Sequence, residues 1–300
     1  MNKRSKNANN INKKKLVETA IHGVFLILGL TTVSCVLLIT VYLVISGIPA
    51  IKEIGLVNFL FGKTWASTAE NPSFGILPFI LTSIYGTAGA ILIGVPVGFM
   101  TSVYLAKMAP TKVKNIMNSA VSLLAGIPSV VYGLVGMLVL VPGIRRIFNV
   151  PDGASLLAAI IILSIMILPS IIKVSVNALE AVPKEYEDAS LALGATAEET
   201  YFRVSVPSAK SGIAAAIVLG VGRAIGESMA VMMVSGNVAN MPGLFESVRF
   251  LTTAVASEMS YSAGLQRQAL FSIALVLFLF IMLINATFNF FLKREKEGLV

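Results

Sequence analysis

Residues 182–207 read VPKEYEDASLALGATAEETYFRVSVP, a polar stretch between two long apolar runs. The residues in it that typically begin and end helices predict two short helices. Pro183 suits the first position of one helix, and Gly194 suits the left-handed residue that ends it. Thr196 followed by Glu199 is the capping-box pattern that begins a second helix. An ordered helical pair joined to two apolar runs is suited to carry force from a soluble partner, although an ordinary structured loop would show the same pattern.

Composition places the apolar runs in a membrane. Hydrophobic residues make up 56% of the 300 positions and charged residues 13%, against about 25% charged in a soluble domain. A helix that crosses the bilayer core needs about 20 apolar residues. No segment shows the alternating pattern of a membrane barrel strand, so we predict an all-α integral membrane protein with about six transmembrane helices. The qualifying segments are 22–46, 76–106, 116–141, 155–173, 212–235 and 268–292.

The distribution of Lys and Arg predicts the orientation. Six spans put both termini on one side of the membrane, and the tails and loops of that side hold fifteen Lys and Arg, against six on the other. The positive-inside rule then predicts cytoplasmic termini. The chain divides into a basic tail (1–21), a transmembrane domain (22–292, with a cytoplasmic loop at about 180–210) and a C-terminal tail (293–300). A basic tail is compatible with nucleic acid, but beside apolar helices it indicates the cytoplasmic membrane face, and we expect no nucleic-acid partner.

Small residues recur where helices would approach each other closely. Such spacing usually indicates helix packing, and less often a pore lining. The glycines concerned are Gly86, Gly89, Gly94 and Gly98 in the second span and Gly133 and Gly136 in the third.

Two charged residues lie inside the fifth span, Arg223 near its centre and Glu227 one helical turn later. A charge at mid-bilayer costs roughly 2.5–3.5 kcal/mol on insertion scales and normally faces a bundle interior or a wet cavity. The four-residue spacing predicts that both side chains share one helix face. They form either a buried pair that fixes the helix position, or a transport site in which Glu227 moderates the hold of Arg223 on an anion. A guanidinium offers paired donors and a permanent charge, which suit a tetrahedral oxyanion.

The residues for several other kinds of chemistry are missing from the sequence. Cys35 and His22 are the single cysteine and histidine, so neither a thiolate cluster nor a histidine pair is available for a metal. Residues 62–64 (GKT) match the end of a phosphate-binding P-loop, but Val57 stands where the motif needs glycine. We therefore expect no catalytic residue, no metal, no cofactor and no ATP hydrolysis by this chain.

The 182–207 stretch resembles the EAA loop of bacterial ABC importer permeases, whose pattern is E-A-A, three residues, Gly, nine residues and I-x-L-P. Here the pattern reads DAS at 188–190, Gly194 and VSVP at 204–207, with every spacing kept and only mild substitutions. In that family the loop sits in a cleft on the ATPase subunit. The resemblance therefore implies that the ATPase is contacted by Asp188, Ala189, Ser190, Ala192, Leu193, Gly194, Ala195 and Thr196.

Three further segments are similar to the phosphate importer permeases: FGILPFI at 74–80, AGIPSVVYG at 125–133 and GRAIGESMA at 222–230. The long first external loop favours the PstC type of subunit over its sister. The resemblance implies a type I ABC importer permease fold in a bacterial plasma membrane. It also implies phosphate as substrate and, as partners, a homologous PstA-type permease, a dimer of ATPase subunits and an external phosphate-binding protein.

Within this resemblance, Arg223 and Glu227 are the predicted pathway residues. Ser129, beside a mid-chain proline, is a weaker candidate, because its hydroxyl suits either an anion contact or the packing of a helix bend.

Three alternatives remain for the function. The first is a permease for another tetrahedral oxyanion, sulfate or molybdate. The second is a secondary transporter driven by an ion gradient, which would often show inverted repeats with broken helices; no clear internal repeat is present. The third is a membrane scaffold, which leaves Arg223 unexplained.

Overall fold

The computed structural model describes the backbone of residues 2–297 and the side chains of residues 18, 19, 21–287 and 290. The basic side chains predicted at both termini lie outside this part of the chain. The described helices are α1 (Asn2–Ile54), α2 (Leu56–Phe61), α3 (Leu77–Val103), α4 (Thr111–Gly126), α5 (Ser129–Val135), α6 (Val141–Phe148), α7 (Leu156–Glu180), α8 (Lys184–Ala192), α9 (Ala197–Thr200), α10 (Val206–Ser208), α11 (Lys210–Gly226), α12 (Met229–Val234), α13 (Leu251–Glu258) and α14 (Gly264–Glu297). Three π-helical turns interrupt the bundle at Tyr104–Met108, Gly136–Leu140 and Tyr201–Ser205, and two short strands, β1 (Trp65–Ala66) and β2 (Ser73–Phe74), pair antiparallel.

Five helical segments in the described chain are long and apolar enough to cross a membrane. A sixth is obtained when Ala197–Ser208 and Lys210–Gly226, which meet at a bend of 71°, are taken as one broken span. The prediction of an all-α membrane protein with about six transmembrane helices is therefore confirmed. The five segments are Ile21–Ile54, Leu77–Met108, Ser129–Phe148, Leu156–Glu180 and Gly264–Thr287.

The third predicted span, 116–141, is divided in the structure. α4 ends at Gly126 and α5 begins at Ser129, because Pro128 lacks an amide and disfavours a helical conformation in the residue before it. The membrane-length segment is the later one, which runs through α5, a π-helical turn and α6 to Phe148.

The fifth predicted span, 212–235, is divided as well. α11 ends at Gly226, residue 227 is extended, and α12 begins at Met229. α12 then packs closely on α5, since a Cβ placed on Gly133 would lie only 2.9 Å from the Cα atom of Ala230. Broken helices at membrane depth are tolerated where protein surrounds them or where they line a wet cavity.

The bundle is organised around α7, whose residues are mostly buried. α3 packs along it through glycines, because a Cβ on Gly94 would lie 2.6 Å from the Cδ1 atom of Ile167 and one on Gly98 2.9 Å from Cγ2 of Ile171. α11 approaches the same Ile171 through Gly220, where an added Cβ would lie 3.0 Å away. The helix-packing role predicted for the glycines of the second span is thus confirmed.

A polar cluster closes the end of the bundle opposite the 182–207 loop. Its centre is the buried carboxylate of Glu258, which accepts hydrogen bonds from Trp65 Nε1 (3.3 Å) and Gln266 Nε2 (3.0 Å). Arg249 forms an ion pair with the same carboxylate at 2.5 Å. Because these residues come from distant parts of the chain, the cluster joins the β1–β2 hairpin, α13 and α14 into one layer.

Candidate transport site and coupling helix

Arg223 lies beside the middle of α7. Its Nη1 atom donates to Ser170 Oγ at 3.3 Å, and Ser170 has 14 residues of α7 before it and ten after it. At 1.5 Å per residue the two ends of α7 are about 21 Å and 15 Å away. The sequence predicted Arg223 near the centre of its span, but the helix ends at Gly226, so Arg223 lies in the last turn of α11.

The guanidinium of Arg223 is half-buried and sparsely bonded. Among the described residues, the contact with Ser170 is its one hydrogen bond, and no carboxylate lies within ion-pairing distance. Arg223 and Ser170 line a cavity of about 670 Å³ between α7, α11 and α14. The other lining residues are Ala215, Val218, Leu219, Gly222 and Asn285. A permanent positive charge therefore faces a space large enough for a small anion and water.

Glu227 does not pair with Arg223, which corrects the geometry predicted from the four-residue spacing. The helix ends at Gly226, so residue 227 no longer continues the face that carries Arg223. The Glu227 carboxylate instead accepts from the backbone amide of Ala230 at 3.1 Å, and its carbonyl oxygen accepts from Thr252 Oγ1 at 2.8 Å. Glu227 thus fixes the break between α11 and α12 and ties it to the start of α13.

Ser129 begins α5 directly after the proline break. It is not among the residues that line the Arg223 cavity. The structure therefore brings Ser170 and Asn285, rather than Ser129, to the arginine. Both were missed because nothing in the local sequence of α7 or α14 shows which face meets α11.

The 182–207 loop has the predicted helix-turn-helix form. α8 is followed by Gly194 with a φ of +90°, and a reciprocal capping box between Thr196 and Glu199 begins α9. Both features were expected from the residue types, since glycine adopts positive φ at low cost and threonine caps a helix with its hydroxyl. The second short helix continues through a π-helical turn and α10, and the 71° bend leads into α11.

The surface of this loop is open. α8 contains no buried residue, and none of the eight predicted coupling residues between 188 and 196 is buried. The apolar side chain of Leu193 is 91% exposed, with Leu191 and Tyr186 about half exposed. Exposed apolar side chains on a well-formed polar loop are typical of a surface that another protein covers.

One side chain of α8 reaches into the bundle. The Glu187 carboxylate forms an ion pair with Lys107 and accepts from Ser205 Oγ at 2.7 Å. Burial by itself raises the pKa of Glu187, but the hydrogen bonds from Lys107 and Ser205, with the charges of Lys107 and Lys184, outweigh it and hold that pKa below its ordinary value. Lys107 and Glu187 are 80 residues apart, so no sequence spacing indicated this contact.

The structure is a bundle of broken and continuous membrane-length helices, with the exposed helix α8 before its fifth span. Solved structures share this fold. The inward-facing MetNI methionine ABC transporter superimposes with a TM-score of 0.57 at 20% identity, over 73% of this chain and 96% of that chain. An amino acid ABC transporter superimposes with a TM-score of 0.53 at 20% identity, over 73% of this chain and 92% of that one.

Residues 94–296 match the binding-protein-dependent transport system inner membrane components, and the chain belongs to this family. The probable ABC transporter permease protein YqgH of Bacillus subtilis is 38% identical over 256 residues, which cover 82% of this chain and 83% of the relative. The phosphate transport system permease protein PstC of Haemophilus influenzae is 34% identical and that of Pasteurella multocida 31%, each over 80% of this chain and 82% of the relative.

These findings confirm the resemblance to PstC-type permeases. The chain is a multi-pass permease subunit of an ABC importer in a bacterial inner membrane. Subunits of this kind are non-catalytic, and membership of the family implies an ATPase and a binding protein as partners.

Proposed function

We propose that this chain is a PstC-type permease that passes inorganic phosphate into the cell along a path containing Arg223. The observation that carries the proposal is the guanidinium beside the middle of α7, which has one neutral hydrogen-bond partner and no carboxylate partner among the described residues. The relatives named PstC, at 31% and 34% identity, support phosphate as the anion.

The contacts of Arg223 suit an anion that must also leave. A guanidinium has five donor hydrogens, and a single bond to Ser170 leaves most of them for a ligand. The Ser170 hydroxyl and the Asn285 amide add neutral donors beside the same cavity. Neutral donors hold an oxyanion less tightly than further cations would, so one charge among them favours passage over trapping.

The proposed partners rest on membership of the family, which implies an ATPase and a binding protein. The cavity is lined by residues of α7, α11 and α14 of this one chain. We propose that a homologous PstA-type permease supplies the other half of a conduit, that two ATPase subunits bind the exposed α8 and its turn through residues 188–196, and that a phosphate-binding protein delivers the anion from outside. The 182–207 loop and both termini then face the cytoplasm, in agreement with the distribution of Lys and Arg.

The anion is tested by ATP-driven uptake of radiolabelled phosphate into vesicles that contain the assembled importer and its binding protein. Unlabelled phosphate should compete, whereas sulfate and molybdate at the same concentration should not. If sulfate or molybdate competes at least as well as phosphate, phosphate is rejected as the substrate and that oxyanion takes its place.

The energy source is tested separately, because broken helices near mid-depth also occur in gradient-driven transporters. An ATPase should co-purify with the full-length chain and be lost after deletion of residues 189–196. Retention of the ATPase by the deletion variant would exclude this loop as its docking element.

A further inference from the structure

Few residues attach α8 to the rest of the molecule. Within α8 only Glu187 and Ser190 are partly covered, and every other residue is exposed. The Ser190 hydroxyl bonds at 2.9 Å to Oγ1 of Thr200, which lies in the Ala197–Ser208 segment that leads into α11. Glu187 bonds to this same segment through Ser205, and its ion pair with Lys107 is the one described side-chain bond between α8 and the second span.

The two partners of Glu187 belong to two different spans. Lys107 lies at the end of the second span, which continues α3, and Ser205 lies in the arm that leads through the 71° bend into α11. α11 carries Arg223, so the carboxylate of Glu187 is connected by short segments to the helix of the transport site.

Both partners also occupy the same unusual backbone. Lys107 is in the π-helical turn Tyr104–Met108 and Ser205 is the last residue of the π-helical turn Tyr201–Ser205. Such turns are rare, are frequent at functional sites, and are a recognised cause of helix bending. Two bendable turns therefore meet at one carboxylate.

The surroundings allow this contact to rearrange. A polar cavity of about 410 Å³ adjoins the ion pair and is lined in part by Lys107, Lys184, Glu187 and Tyr201. The side chains of Lys107 and Glu187 are nevertheless mostly covered, with 9% and 18% exposed. A partly covered ion pair is stronger than one at an open surface, because water screens it less.

We propose that Glu187 is a positioning residue that transmits the movement of the ATPase-bound α8 to the second and fifth spans through Lys107 and Ser205. This inference rests on the proposed docking of an ATPase to α8. The Glu187 contact carries the movement, and residues 188–196 carry the docking. Loss of the Glu187 contact therefore uncouples ATP hydrolysis from transport while the ATPase stays bound.

The test uses the complete importer in vesicles, with measurement of both ATP hydrolysis and phosphate uptake. Glu187→Gln keeps the size of the side chain and removes its charge. The amount of phosphate moved per ATP should fall about tenfold, the factor expected for loss of a charge-assisted hydrogen bond, while the amount of bound ATPase stays unchanged. Lys107→Met removes the same ion pair from the membrane side and should give the same fall.

The chain provides a matched control. Lys114 and Glu180 form a second ion pair at 2.5 Å that joins α4 to α7. Both line the same cavity as Lys107 and Glu187, but neither forms a described hydrogen bond or ion pair with α8. Lys114→Met and Glu180→Gln should leave the phosphate moved per ATP unchanged. The exchanged pair Lys107→Glu with Glu187→Lys should recover part of the coupling lost in the single variants.

The outcomes separate the two proposals. An importer with the unaltered chain that takes up no phosphate with ATP would reject the proposed function itself. Normal phosphate moved per ATP in both Glu187→Gln and Lys107→Met, with uptake intact in the unaltered chain, would overturn the inference alone. Loss of the ATPase from both variants would also overturn it, since the ion pair would then serve docking.

Discussion

Arg249 and Arg223 are both partly buried, but Arg249 forms several hydrogen bonds and an ion pair, whereas Arg223 forms a single hydrogen bond. Arg249 donates from Nη1 to Glu258 at 2.5 Å and from Nε and Nη2 to the carbonyl oxygen of Asn237 at 3.0 and 2.8 Å. Its guanidinium also lies 5.8 Å from the ring centroid of Phe79. Arg223 has the single bond to Ser170 at 3.3 Å among the described residues.

The difference indicates that Arg249 is a structural cation, whereas Arg223 is available to bind a ligand. A guanidinium whose donors and charge are satisfied by the protein has nothing left for a ligand, and its removal leaves a buried carboxylate without a partner. A sparsely bonded guanidinium in a cavity beside membrane-length helices is costly to keep and has room for an oxyanion. We therefore expect the two arginines to respond differently to the same substitution.

The largest effect should come from Arg223→Ala. Because the substitution removes paired charge-assisted hydrogen bonds to the anion, phosphate uptake should fall about 100-fold or more while the complex remains assembled. Uptake and co-purified ATPase are measured in parallel, and Arg223→Lys serves as the variant that keeps the charge without the fork. Uptake that stays normal in Arg223→Ala would remove Arg223 from the path.

Arg249→Ala should act on stability instead. The buried Glu258 carboxylate would lose its ion-pair partner, at a cost of about 3–5 kcal/mol, so the melting temperature of the purified complex should fall. The preference for phosphate over sulfate should not change in the protein that remains folded. A second substitution, Glu258→Gln, should restore part of the lost stability because it removes the unpaired charge. An altered anion preference in Arg249→Ala would contradict its assignment as structural.

At the coupling loop, Gly194→Val should reduce transport through local strain. Gly194 has a φ of +90°, and a β-branched residue in a left-handed conformation costs roughly 1–2 kcal/mol, which is enough to displace the turn between α8 and α9. The expected result is a several-fold lower phosphate uptake with less co-purified ATPase. Gly126→Val is a control for added side-chain bulk, because no atom lies within 4 Å of a Cβ at that helix end either.

The smallest effect concerns pH. Burial raises the pKa of Glu187, but the hydrogen bonds from Lys107 and Ser205 and the charges of Lys107 and Lys184 lower it by more. The pKa in the folded protein therefore lies below the ordinary value of 4.5. A carboxyl group with a lowered pKa stabilises the fold above its unfolded pKa, and this contribution is lost as pH falls through the folded pKa. Protease cleavage of the 182–207 loop should therefore increase on acidification below about pH 4.5. The increase should be smaller in Glu187→Gln, and an equal increase in both would show that Glu187 does not titrate in this contact.

The sequence predicted local structure well where residue types determine it. Gly194, Thr196 and Glu199 predicted the turn and the capping box of the coupling loop because each acts on its own backbone neighbourhood. The glycines of α3 predicted close packing for a similar reason, since only small residues let two helices approach.

Contacts between distant segments could not be predicted from the sequence. Ser170 beside Arg223 and Lys107 beside Glu187 depend on how whole helices pack, and no local spacing encodes them. The expected pairing of Arg223 with Glu227 assumed an unbroken helix. The break after Gly226, held by the Glu227 carboxylate on the Ala230 amide, overrode that assumption and left the arginine without its expected partner.

The central claim is that this chain forms part of a conduit whose energy comes from a separate ATPase. The most direct test is phosphate uptake by purified vesicles that contain this chain alone, or the complete importer with its binding protein, each with and without ATP. We predict uptake only from the complete importer supplied with ATP. Uptake by the isolated chain in the absence of nucleotide would contradict the account.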